Sequence, residues 1–145
     1  MTSDEWGALE GGIIFEIDGT VPGNIRLFIE LESLRGMFPN KGHGFVVHLE
    51  KCSSVVYTAH NGSPVTHLRS LESKELEISC LSLVNPVELS CQEASGAQGD
   101  LILDYESACA FLDTGASLLE NDLHIAYKKC WDKEALREGG NETVP

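Results

Sequence analysis

Carboxylates dominate the reactive side chains of this 145-residue sequence, and they are unevenly placed. Between Lys74 and Lys128 there is no Lys or Arg, whereas Glu75, Glu77, Glu88, Glu93, Asp100, Asp104, Glu106, Asp113, Glu120 and Asp122 are all acidic. A run of one sign serves colloidal stability. It also suits a cationic client, because clustered carboxylates neutralise Lys and Arg that otherwise bind phosphate, with an affinity that salt weakens. The whole chain, with 10 Lys and Arg against 23 Asp and Glu, carries a formal net charge of −13. Such a balance repels nucleic acid and anionic lipid and favours basic protein partners such as histones. The candidate binding residues are therefore Glu75, Glu77, Glu88, Glu93, Asp100, Asp104 and Glu106.

Other reactive residues point to little chemistry. Cys52, Cys80, Cys91, Cys109 and Cys130 are odd in number and form no C-x-x-C, which fits buried thiols better than disulfides. His43, His48, His60, His67 and His124 form no H-x-x-x-H or H-E-x-x-H, and His48 with Cys52 is too isolated a pair for zinc, so neither metal nor cofactor is expected. Walker, dinucleotide-binding and G-x-S-x-G motifs are missing. The sequons Asn61-Gly62-Ser63 and Asn141-Glu142-Thr143 need a secretory route, which the acidic start Met1-Thr2-Ser3-Asp4-Glu5 does not suggest. No apolar run approaches the roughly 20 residues of a membrane helix. An intracellular protein, nuclear or cytoplasmic and away from membranes, is expected.

The elements that would position these residues are mostly strands. The length and the 42% hydrophobic content suit one domain, 1–145, able to form a core without disulfides or metal. Apolar residues alternate at Ile13-Phe15-Ile17, Ile25-Leu27-Ile29-Leu31 and Phe45-Val47-Leu49. Val55-Val56-Tyr57 and Val65-Thr66-His67-Leu68 flank His60-Asn61-Gly62-Ser63, which predicts a hairpin on a type I′ turn. Further runs are Leu76-Ile78-Cys80, Val87-Leu89-Cys91, Leu101-Leu103-Tyr105 and Ala108 to Leu112. Eight or nine short strands over 5–112 predict a mainly β fold, an antiparallel β-sandwich or jelly roll. The period then changes: Leu119, Leu123, Ala126, Tyr127, Cys130 and Trp131 predict one C-terminal helix over 117–138, with Ser117 and Glu120 as capping box. Lys128, Lys129, Lys133 and Arg137 gather toward its end, Gly139-Gly140 stops it, and 139–145 forms a loose tail. Trp6 and Trp131 are core residues or anchors in a larger assembly.

Residues 5–92 resemble the core of the nucleoplasmin family of histone chaperones. The similarity lies in Trp6-Gly7, opening the first strand, in Phe15-Glu16-Ile17-Asp18, and in Ser33-Leu34 with Gly36 at a strand end. Gly62-Ser63-Pro64-Val65 looks like the family's turn, and Leu76 through Gln92, with Cys80, Ser82, Pro86-Val87 and Leu89-Ser90, its last strand pair. The resemblance implies a non-enzymatic, oligomeric β-sandwich that shields basic clients. The family's long acidic tail is missing, its penultimate hairpin would be shortened between Leu71 and Leu76, and the helix from Ser117 has no counterpart.

A second string, Cys109-Ala110-Phe111-Leu112-Asp113-Thr114-Gly115-Ala116-Ser117, resembles the active-site turn of retroviral-type aspartic proteases, most closely the plant pararetrovirus enzymes. It implies Asp113 as catalytic residue, activating water with a second Asp from another copy, and Thr114 and Gly115 as builders of the turn. The flap and the later strand that cradle this turn in that family have no counterpart after Ser117. The same residues also read as plain turn chemistry leading into a helix capped by Ser117. An acidic binding or assembly module is the first expectation, an aspartic protease or truncated derivative the alternative, and a structural subunit of a larger assembly the third.

Overall fold

The computed structural model of the chain describes residues 1–142, with side chains to Lys133. Its strands are β1 (Ile13–Gly19), β2 (Gly23–Glu30), β3 (Gly44–Cys52), β4 (Ser54–Ala59), β5 (Leu76–Val84), β6 (Val87–Gln92), β7 (Gln98–Asp104) and β8 (Ser107–Leu112). Helices α1 (Ser3–Ala8), α2 (Glu32–Arg35), α3 (Leu68–Lys74) and α4 (Asp122–Glu142) are the other elements of the described residues. The eight strands form one antiparallel sheet in the order β4-β7-β6-β5-β1-β2-β3-β8, folded as a sandwich.

The folding of the sheet follows from where its pairing is thin and where it bends. β1 and β5 pair only at Ile13↔Glu77 and Ile14↔Leu76, so the sheet can crease there into two halves. At the opposite side β3 runs past Ser53 into β4, and β7 runs past Tyr105-Glu106 into β8. Because β3 pairs with β8 and β4 with β7, these strands make one antiparallel ribbon that turns a corner, its register slipping by one residue between Glu50↔Ser107 and Ser54↔Asp104. Ser53 N–H donates to the Asp104 carbonyl at 2.8 Å and Glu106 N–H to the Glu50 carbonyl at 3.0 Å, so pairing survives the bend. The inward residues of both halves, among them Ile14, Leu27, Val47, Tyr57, Leu76, Leu89, Leu101 and Leu112, form one buried cluster. Each such aliphatic side chain contributes about 1.5–3 kcal/mol by leaving water.

Both edge strands are blocked. Tyr57 of β4 exchanges two backbone hydrogen bonds with Val65, at 2.9 and 2.7 Å. On β8, Phe111 bridges Ser117, Leu118 N–H donates to the Ala110 carbonyl, and the Met1 ammonium donates to the Ala108 carbonyl at 3.0 Å. Unpaired edge groups would otherwise template strand addition.

Several local expectations are corrected. The segment after Tyr57 is no hairpin: β4 pairs with β7, Val65 contributes a single bridge, and Leu68 opens α3. Neither Asn61 nor Gly62 takes the positive φ of a type I′ turn, and Pro64, lacking an N–H, weakens any ladder there. Trp6-Gly7 lies in α1, whose Thr2 and Glu5 form a capping box, and Ser33-Leu34 lies in α2 beyond the end of β2. Cys52 and Cys91 are buried, but Cys80 and Cys109 are exposed and Cys130 is half-buried.

The last helix starts later than the spacing predicts. Ser117 is bridged to β8, Asn121 adopts φ 72°, and the helix begins at Asp122, whose Oδ2 accepts the Leu119 N–H at 2.8 Å. Helix α4 then continues through Gly139-Gly140 to Glu142, and residues 143–145 of the expected tail lie outside the described residues. Leu123 and Ala126 face the core, while Leu119 is exposed. Because Ser117 caps nothing, Ser117→Ala is expected to move stability by less than about 0.5 kcal/mol in a denaturant melt, where loss of a true cap would cost about 1 kcal/mol.

Candidate functional site

The carboxylates singled out from the sequence separate into two groups. Strand alternation turns Glu77 of β5, Glu88 of β6, and Asp100 and Asp104 of β7 to the outer face, because Leu76, Ile78, Val87, Leu89, Leu101 and Leu103 occupy the core positions between them. Glu88 stands opposite Ile102, which places it diagonally to Asp100 and to Asp104, about 7–8 Å from each. Ser90 Oγ donates to Asp100 Oδ1 at 3.4 Å and contacts Ser82 Oγ at 3.0 Å, so hydroxyls fill the spaces between carboxylates. No Lys or Arg occurs in β4, β5, β6 or β7.

The other three have partners or stand apart. Glu93 turns inward, where Tyr57 Oη donates to it at 2.9 Å and Lys74 Nζ lies 3.3 Å from its other oxygen. Burial pushes the Tyr57 phenol far up, and the Glu93 carboxylate beside it pushes it further, so the hydroxyl stays a donor. Glu106 pairs with Lys51 at 3.4 Å at the corner of the ribbon. Glu75 is the αL residue that ends α3, with φ 49°.

Asp113 occupies a different place. Leu112 to Ala116 make a tight hairpin turn: Gly115 N–H donates to the Leu112 carbonyl at 2.9 Å, Leu112 N–H to the Ala116 carbonyl at 2.8 Å, and Gly115 takes φ 96°. This accounts for the Asp-Thr-Gly order, since the αL position in such a turn favours glycine. Asp113 Oδ1 accepts from Arg35 Nε at 2.8 Å, and Oδ2 accepts from the backbone N–H groups of His43 at 2.6 Å and Gly44 at 3.2 Å. Burial works to raise its pKa, but the Arg35 guanidinium and the two backbone donors outweigh it and hold the carboxyl below the ordinary aspartate range. A water-activating aspartate needs an oxygen free for substrate and a proton shared with a second acid. Here Oδ1 is engaged by Arg35 and Oδ2 by two backbone N–H groups, and Thr114 and Gly115 form the turn beside them.

Arg35 is the residue that sequence reasoning overlooked. Its side chain is 1% exposed, and its Nη1 donates to the carbonyls of Pro39 and Asn40, at 3.1 and 3.3 Å. The arginine thus ties the α2–β3 loop to the turn after β8. Its sequence signal is slight: a single cation set among Leu34, Met37 and Phe38. Gly42 closes over the pair so tightly that an added Cβ would lie 2.2 Å from Asp113 Oδ1 and 2.5 Å from Arg35 Nε. Gly42→Ala is therefore expected to displace the ion pair and cost about 1–3 kcal/mol, read as a lowered melting midpoint.

The fold also brings together a cysteine and a histidine that spacing could not connect, His48 of β3 opposite Cys109 of β8. Burial raises the thiol's pKa, with Glu50 adding to it, and burial lowers that of the imidazole, with Arg26 adding to it. The two therefore favour their neutral forms, the reverse of an activated thiolate–imidazolium pair. Among the described residues no three His, Cys, Asp or Glu side chains are placed to hold a metal ion, and no helix is long and apolar enough to cross a membrane. The arrangement, a β-sandwich with exposed carboxylates, is consistent with a binding or structural module in general. No protein family, curated protein or solved structure matches the chain at a significant level.

Proposed function

We propose that this chain is a non-enzymatic acidic module that binds basic protein segments, histones among them, on the outer face of β4-β7-β6-β5. The observation that carries the reading is the set Glu77, Glu88, Asp100 and Asp104 on one sheet face whose four strands contain no Lys or Arg. Carboxylates fixed near one another on a rigid sheet repel, and a bound cation relieves that repulsion. The part of the nucleoplasmin resemblance that falls on strands, Phe15-Glu16-Ile17-Asp18 in β1 and the β5–β6 pair, supports the same class of client and a nuclear or cytoplasmic setting.

Titration against core histones and against duplex DNA, each at two ionic strengths, tests the proposal. Histone binding should weaken steeply with salt, DNA should not bind, and the combined change Glu88→Gln, Asp100→Asn and Asp104→Asn should weaken histone binding at least about tenfold. Salt-independent binding, or a preference for DNA, overturns the reading.

A further inference from the structure

The opposite outer face, that of β1-β2-β3-β8, has a different character. A β-bulge between Ile14 and Glu16 turns both Phe15 and Glu16 outward, where alternation alone would bury one of them. Phe28 stands opposite Val46, and Val46 opposite Phe111, so an apolar row crosses β2, β3 and β8, with Val46 buried, the Arg26 guanidinium 5.8 Å over the Phe28 ring and the His48 ring 4.4 Å from that of Phe111. Phe15 extends the row across β1, its ring 6.3 Å from that of Phe28, and remains 47% exposed. Glu16 stands opposite Phe28 itself, Glu30 lies two residues along β2 from Phe28, and Glu50 four along β3 from Val46. The cations of these strands are already engaged, Arg26 with Asp18 and Lys51 with Glu106.

Helix α4 offers the complementary chemistry. Its inner side, with Leu123 and Ala126, is buried, and the helix lies against α1 and α2. The spacing of Ile125, Lys128, Lys129 and Asp132 puts them on one outward stripe, with Lys133 on one flank and the exposed Trp131 on the other, next to α1 and α2. Ile125 is 50% and Trp131 57% exposed. Face against face would oppose Glu16, Glu30 and Glu50 to their own copies, and helix against helix would oppose lysines. Only helix against face joins opposite charges around an apolar centre.

We propose that the outward side of α4 in one copy docks on the outer face of β1-β2-β3-β8 in a second copy, giving head-to-tail self-association. Phe15, Phe28 and Phe111 receive Ile125 and Trp131, and Glu16 and Glu30 receive Lys128 and Lys129. This surface is separate from the one proposed for basic clients.

Sedimentation velocity of the full chain, over a range of protein and salt concentrations, tests it. Species heavier than the 15.8 kDa monomer should grow with protein concentration once salt screens the repulsion between chains of net charge −13. Lys128→Glu with Lys129→Glu should weaken association at least about tenfold, and so should Glu16→Lys with Glu30→Lys. A chain carrying both reversals should associate again, because its helix and face are once more opposite in sign. Should Glu30→Lys fail to fold by circular dichroism, Glu16→Lys with Glu50→Lys replaces that pair. A monomer at every concentration up to millimolar, association indifferent to the helix reversal, or no recovery in the doubly reversed chain overturns the proposal.

Discussion

Asp113→Ala is expected to destabilise the fold by about 3–5 kcal/mol, because it leaves the guanidinium of Arg35 buried without its counter-charge. A double-mutant cycle with Arg35→Met isolates the effect: the doubly substituted chain should be more stable than the sum of the single losses predicts. Asp113→Asn, which keeps the shape but not the charge, should fall between wild type and Asp113→Ala. The pair also sets an acid dependence. A carboxylate whose folded pKa lies below its unfolded value of 3.8 stabilises the fold fully above that value and loses the contribution as pH falls through the folded one. The acid limb of the wild-type stability curve should therefore be steeper than that of Asp113→Ala, and the two should converge at the lowest pH. Equal stability of the two chains at neutral pH would show that the pair anchors nothing.

Trp6→Ala should cost a similar amount, about 3–5 kcal/mol. Trp6 is 0% exposed, and its Nε1–H donates to Tyr105 Oη at 2.9 Å, which links α1 to the corner of the bent ribbon. Trp6→Phe keeps much of the packing and should lose about 1 kcal/mol more than its volume change alone, for the hydrogen bond. Fluorescence reads both substitutions directly. The sequence has 2 Trp, and the buried Trp6 should emit to the blue of the exposed Trp131, so the Trp6 variants should retain only the red-shifted component.

All eight strands were legible because most of their length follows the period that burial on one face imposes, as in Ile25-Leu27-Ile29 or Leu101-Leu103. Ile13-Phe15-Ile17, however, misplaces the inner side of β1, where the bulge buries Ile14 and leaves Phe15 exposed, and bulges in β5 leave Cys80 exposed. What stayed hidden depends on partners distant in sequence. His60-Asn61-Gly62-Ser63 is a sound hairpin turn on local grounds, but only Tyr57 and Val65 pair across it, since Pro64 has no N–H to give and the chain enters α3 at Leu68; β4 finds its full ladder in β7 on its other edge. Ser117-Leu118-Leu119-Glu120 likewise has the form of a capping box, yet bridging to Phe111 holds Ser117 extended and delays the helix to Asp122. At the candidate site, charge alone identified Glu77, Glu88, Asp100 and Asp104 as surface carboxylates. It did not distinguish them from Glu93, whose oxygens are committed to Tyr57 and Lys74. Arg35 was missed because α2 is too short to show a buried side by periodicity.

The bent ribbon also determines the order in which the chain can be completed during synthesis. β1, β2 and β3 pair with their neighbours in sequence and so can pair early, but β3 receives its second partner only from residues 107–112. Through the translation of the intervening sixty or so residues the Phe45–Glu50 edge has no neighbour, and a nascent sheet with an open edge is prone to pair with another chain. Slow codons or a stall between β3 and β8 should thus favour aggregation far more than the same delay after Leu112, when β8 and the Ser117 bridge can close the edge.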